Sequence, residues 1–296
     1  MTKNVLSALF SAARGLLRDW RALLALAFLY AALIAAFVLF ITTREATTAQ
    51  LALTALAAVA VPVLFCAVAA AAAAYAVGET RPAGILRRAL GNFLKVLTLS
   101  LPILALVVGT VWAMNKLESR VKHDPRDEAS AQYSANMDGE GDDSAREPRP
   151  KPKVRWAYVF YSALRLLLLG VLLPLIAVYL WIAATRDGLG GALRKHHRVI
   201  ARALSARSVF TYTVGMIVFA LLPYFLIIKR TPASAGSVEL TLLSVRLLAA
   251  FALTLFGFVA TATALARYDA GADADAALAR QPDPQPRPAE PASVTS

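Results

Sequence analysis

Six apolar runs of about 20 residues or more divide this chain, separated by short polar connections, one long polar loop and a polar tail. The runs are Ala22–Ile41, Leu51–Val77, Phe93–Met114, Leu164–Ala184, Val209–Ile228 and Leu247–Ala266. A hydrocarbon core about 30 Å thick takes roughly 20 residues of helix to cross. In hydrocarbon, only helices and closed barrels satisfy every backbone polar group. These runs are Ala- and Leu-rich and too long for barrel strands. The expected fold class is an all-α integral membrane protein with six transmembrane helices. The first run is about twice the length of a leader's apolar core, and no clear small-residue cleavage site precedes Thr42. It reads as an uncleaved anchor.

The polar connections alternate in charge. The stretch up to Arg21 carries Lys3, Arg14, Arg18 and Arg21 against Asp19. The stretch after Val77 carries Arg81, Arg87, Arg88 and Lys95 against Glu79. The stretch after Ala184 carries Arg186, Arg194, Lys195, Arg198, Arg202 and Arg207 against Asp187. The intervening connections lack this excess, and the loop Asn115–Arg155 holds nine basic and nine acidic residues. Basic connections face the cytoplasm. The expected location is a bacterial cytoplasmic (inner) membrane, with both termini inside. The net charge of +12 follows the membrane topology and not a groove-reading element, which argues against nucleic acid as a partner.

Each basic stretch has helical periodicity. Leu6, Leu9, Phe10, Ala13, Leu16, Leu17 and Trp20 form one apolar stripe. Ile85, Leu86, Ala89, Leu90 and Phe93 form a second, and Leu189, Leu193, His196, Ile200 and Leu204 a third. Arg and Lys occupy the opposite sides. Such helices lie along a membrane surface with acyl chains on one face and anionic headgroups on the other. The chain therefore reads as three hairpins, each preceded by a basic amphipathic cytoplasmic helix.

By residue, that gives an amphipathic helix over 1–21 and three spans over 22–114, with an amphipathic segment at 79–93. A polar, mostly disordered outer loop follows over 115–155. Three more spans occupy 156–266, with an amphipathic segment at 188–207, and a disordered cytoplasmic tail covers 267–296. The tail is read as extended from Asp269 onward on its Pro, Ala and Asp content.

Candidate chemistry is sparse. Arg165 and Arg246 lie near the outer ends of the fourth and sixth spans. Beside Trp156, Tyr158 and Tyr161, Arg165 fits an interfacial girdle with its guanidinium reaching the headgroups. The sharper alternative is a pair of intramembrane cations holding an anionic lipid or substrate. Arg87, Arg88, Arg194, Lys195, Arg198 and Arg202 are candidate contacts for anionic lipid headgroups. Pro62, Pro102, Pro174 and Pro223 fall inside spans and are kink positions. His196 and His197 lack the further ligands a metal site needs. Cys66 is the one cysteine, which excludes a disulfide framework. No nucleophile elbow, phosphate loop or zinc helix occurs in the sequence, and no cofactor is expected. The expected function is that of a non-enzymatic membrane protein binding lipid or a membrane-protein partner. The alternative is a transporter, or a subunit of one, for an anionic or lipidic substrate.

Overall fold

The protein was analysed as a computed structural model, which describes residues 2–43, 47–122, 156–228 and 236–278. The expected disorder of the outer loop and most of the tail falls outside those residues. The chain is a multi-pass helical membrane protein: six of its helical segments are long and apolar enough to cross a bilayer.

A short helix α1 (Thr2–Arg18) precedes the first span, α2 (Trp20–Thr42). The second span is α3 (Thr48–Ala76) and the third is part of α4 (Pro82–Lys122). The fourth span joins α5 (Trp156–Arg165), a π-helical stretch Leu166–Leu172 and α6 (Leu173–Arg194). A short α7 (His196–Ala203) follows. The fifth span joins α8 (Ala206–Met216), a second π-helical stretch Ile217–Leu221 and α9 (Leu222–Ile228). The sixth span lies in α10 (Gly236–Leu278).

Local chemistry sets several of these boundaries. Thr47 caps α3 by accepting from the Gln50 amide. Gly78 ends the same helix at φ 104°. Its amide donates to Tyr75, and the Glu79 amide to Ala74. That pair of bonds is a Schellman closure, and its left-handed residue favours glycine. Gly188, at φ 76°, breaks the helical path inside α6. Ser205 caps α8 through the Ser208 amide.

The two π-helical stretches share a setting. Pro174 and Pro223 each follow closely, and proline removes a donor and crowds the carbonyl four residues back. The residue before each proline bonds one residue further back: Leu173 to Leu168, and Leu222 to Ile217. Pro62 and Pro102 lie in unbroken α-helix.

Helix α4 has 41 residues, about 60 Å at 1.5 Å per residue and twice the thickness of a hydrocarbon core. The second basic segment has no break from the span that follows; it is the first turns of α4. Helix α10, with 43 residues, also outruns its span. It stays helical past Asp269, where the sequence suggested an extended tail. The Ala-rich run Ala270–Leu278 has high helix propensity, and Asp269 is buried in ion pairs that hold the turn.

Helix α3 is central and touches α2, α4, α6 and α10. Its residues Ala69–Tyr75 are all buried, as are Ala177–Ala184 of α6 and Val259–Ala266 of α10. All three runs lie toward the end of the bundle that carries the basic stretches, the basic end. Alanine and glycine let the backbones approach closely there. At the crossing of the fifth and sixth spans, a Cβ on Gly257 would sit 2.9 Å from Phe219 Cβ and 3.3 Å from its backbone, and one on Gly215 would overlap Thr261.

Candidate functional site

Each expected amphipathic stripe divides in two. On α1, Val5, Ala12 and Leu16 are buried against the bundle, with Ala12 packed on Ala260 and Ala264 of α10. Phe10 and Leu17 of the same apolar arc are 72% and 62% exposed. Arg14 and Arg18 follow on the next side of the wheel, at about 100° per residue. At the start of α4, Ile85 and Ala89 are buried while Leu90 is 78% exposed. The third stripe divides differently from the expected pattern. Gly188 and Lys195 interrupt the expected single helix, and the buried positions of α7 are Val199 and Ala203. Leu193, His196 and Leu204 are exposed. α1 and the start of α4 thus have three sectors, one against the bundle, one apolar and open, and one basic; at α7 the exposed leucines, Leu193 and Leu204, flank the helix.

Among the residues whose side chains are described, four carboxylates at the basic end each tether a neighbour. Asp19, between α1 and α2, accepts from the Tyr75 hydroxyl at 3.1 Å. Glu79 pairs with Arg88 at 3.4 Å. Asp187 pairs with Lys195 at 3.1 Å and with Arg186 at 3.3 Å. Asp269, whose side chain is 7% exposed, pairs with Arg186 at 3.0 Å and Arg202 at 2.6 Å. One carboxylate on α10 thereby joins the end of the fourth span to α7. An ion buried to this degree needs such partners.

A cavity of about 450 Å³ opens beside Asp269. Arg202, Arg207 and Arg267 line it together with Tyr179, Ser205, Ser208, Tyr268 and Asp269. Tyr179 and Ser208, both buried, share a hydrogen bond of 2.6 Å, and Ser205 donates to Ser208 at 2.9 Å. The Arg207 guanidinium stacks over the Tyr268 ring at 4.0 Å, a cation–π arrangement. Arg267 donates to Ser11 of α1 at 2.9 Å. The Tyr268 hydroxyl is buried without a hydrogen-bond partner.

The expected site residues are scattered relative to this cavity. Arg202 lines it and is held by Asp269. Arg194, Lys195 and Arg198 are exposed nearby. Arg87 and Arg88 line a separate shallow depression with Glu79, Asn92 and Lys95. Arg165 is exposed at the end of α5, one turn from Tyr161. At the same, opposite end of the bundle, Lys116 lies over the Trp112 ring at 5.0 Å and Trp156 is exposed. That grouping has the form of an interfacial belt. Arg246 is half-buried on a helix whose Leu242, Leu243, Leu247 and Leu248 face outward. Neither Arg165 nor Arg246 lines the basic-end cavity. Sequence reasoning missed Asp269, Arg186, Arg207, Arg267 and the hydroxyl group around Ser208. The available signal was a single carboxylate one turn beyond the last span, following Arg267 and Tyr268.

A second cavity, of about 580 Å³, lies at mid-span between α2, α3, the second π-helical stretch and α10. Phe37, Pro62, Phe65 and Phe258 wall it, and the hydroxyls of Tyr30 and Thr254 are its polar groups. Among the described residues, no three His, Cys, Asp or Glu side chains group to hold a metal. The chain matches no protein-family model, no curated protein and no solved structure. By its geometry it is a polytopic helical membrane protein, and among its described residues the tethering carboxylates gather at one end of the bundle.

Proposed function

We propose that this is a non-enzymatic protein of a bacterial cytoplasmic membrane that binds anionic lipid of the inner leaflet at its basic end. The observation that carries the reading is the three-sector construction of α1 and the start of α4. A purely soluble cap would not leave Phe10, Leu17 and Leu90 open to solvent. An ordinary packed helix would not place an arginine edge beside that open apolar arc. At the headgroup level, the bundle sector docks, the apolar sector enters the acyl region and the basic sector meets phosphates. Each Lys or Arg near an anionic surface contributes about 1 kcal/mol. The positive-inside rule makes the basic end cytoplasmic.

The test is cysteine accessibility in a Cys66→Ala background, with the protein in vesicles containing anionic lipid. A water-soluble maleimide is expected to label Arg14→Cys many times faster than Phe10→Cys, and from the cytoplasmic side. Equal rates at the two positions would sink the reading. The transporter alternative rests on Arg165 and Arg246 sharing a cavity. Against it, Arg165 is grouped with belt aromatics, and the mid-span cavity is walled chiefly by apolar side chains that suit hydrocarbon better than an anion.

A further inference from the structure

We infer that the basic-end cavity beside Asp269 is a binding site for a phosphate monoester, presented either as the headgroup of a phosphatidic-acid-type lipid or as free phosphate. The inference deepens the proposed function and rests on the basic end facing anionic phosphate groups.

Charge balance comes first. Arg202 is held by Asp269, while Arg207 and Arg267 line the cavity with no carboxylate partner among the described residues. Two positive charges are therefore in surplus. A phosphate monoester carries about 1.5 to 2 negative charges at neutral pH, which matches that surplus; a phosphodiester carries one. Donor geometry comes second. Arg207 is fixed by its stack on Tyr268 and Arg267 by its bond to Ser11. Each of those contacts engages part of the guanidinium and leaves other N–H groups to donate. Planar forks of this kind suit phosphate oxygens.

The cavity also has the right depth. Tyr179, Ser208 and Asp269 are buried at its floor, while Ser205, Arg207 and Gly271 are exposed at its rim. Arg267 at the cavity bonds Ser11, the chain neighbour of exposed Phe10, so the cavity lies beside the open apolar sector of α1. A headgroup seated there would leave its acyl chains at the bilayer surface.

The test is native mass spectrometry of the full chain, counting lipids retained from equal mixtures of phosphatidic acid and phosphatidylglycerol, alone and with millimolar inorganic phosphate. The wild type is expected to retain phosphatidic acid about tenfold over phosphatidylglycerol, the scale of one charged hydrogen bond. Arg207→Gln/Arg267→Gln should abolish that preference and leave phosphatidylglycerol retention unchanged. Inorganic phosphate that raises the melting temperature of wild type but not of Arg207→Gln/Arg267→Gln, without a lipid preference, assigns the site to soluble phosphate. Equal retention of both lipids in every variant, with no effect of phosphate, overturns the inference. Arg14→Gln/Arg18→Gln separates the two proposals: it should lower both lipids together, and failure there counts against the inner-leaflet reading instead.

Discussion

The two ends of this bundle are built on different principles. At the basic end the helices are tied across to one another: Tyr75 to Asp19, Asp269 to Arg186 and Arg202, Tyr179 to Ser208, Arg267 to Ser11. Toward the other end, the side-chain hydrogen bonds of Thr42, Thr54 and Ser244 return to the carbonyl four residues back on the same helix. Burial follows the same division. Within α3, Ala69–Tyr75 are buried, while Leu51, Leu56 and Val59 face outward. Within α10, Val259–Ala266 are buried, while Leu240, Leu243 and Leu248 are exposed. Apolar surface gains little by leaving lipid for another apolar helix, so spans associate through close packing and polar contacts. Where the sequence supplies small residues and paired charges, the helices close. Where it supplies leucine, lipid serves as the neighbour.

The largest expected effect comes from cutting the central tether. Asp269→Ala removes the shared partner of Arg186 and Arg202 and should lower stability in mild detergent by roughly 3 kcal/mol, read as a fall in melting temperature. Asp269→Asn should recover part of that, since it keeps an acceptor. A loss below 1 kcal/mol for Asp269→Ala would break the comparison. Next is Gly257→Leu, which forces a side chain against Phe219 and should cost about 1–3 kcal/mol by overpacking. Ser208→Ala leaves the buried Tyr179 hydroxyl without its partner and should cost about 1–2 kcal/mol. At the bottom stand Asp187→Asn, which loses a partly solvated pair with Lys195, and Arg165→Ala at the opposite end. Each should fall under about 1 kcal/mol.

What the sequence made legible follows from the physics of each signal. The spans were legible because hydropathy is a local property, and the chain's six runs lie within the six span helices apart from Val77, one residue past the second. The division of each amphipathic stripe was not, because Leu16 and Leu17 are equally apolar, and only the position of α10 decides which is buried. The prolines were visible, but their outcomes were not. Pro174 and Pro223 follow π-helical turns while Pro62 and Pro102 do not. Asp269 lay hidden for a different reason. Net-charge counting treats an acid as one negative unit in a basic region. In the structure, Asp19, Glu79, Asp187 and Asp269 each hold a specific partner. The run Ala-Gly-Ala-Asp-Ala-Asp after Asp269 reads as tail, and the long-range partners Arg186 and Arg202 leave no trace in local sequence.

The most direct test of the division between a tethered and an open end is a pair of distance distributions from spin labels on the full chain in nanodiscs. One pair would sit at Arg81 and Gly271 by the basic end, the other at Leu51 and Leu240 toward the opposite end. All four positions are exposed. Little burial leaves a region free to open locally. The account predicts a narrow single distance for the first pair and a broad distribution for the second, with Asp269→Ala broadening the first alone. Equal widths for the two pairs, or a basic-end distance indifferent to Asp269→Ala, would contradict it.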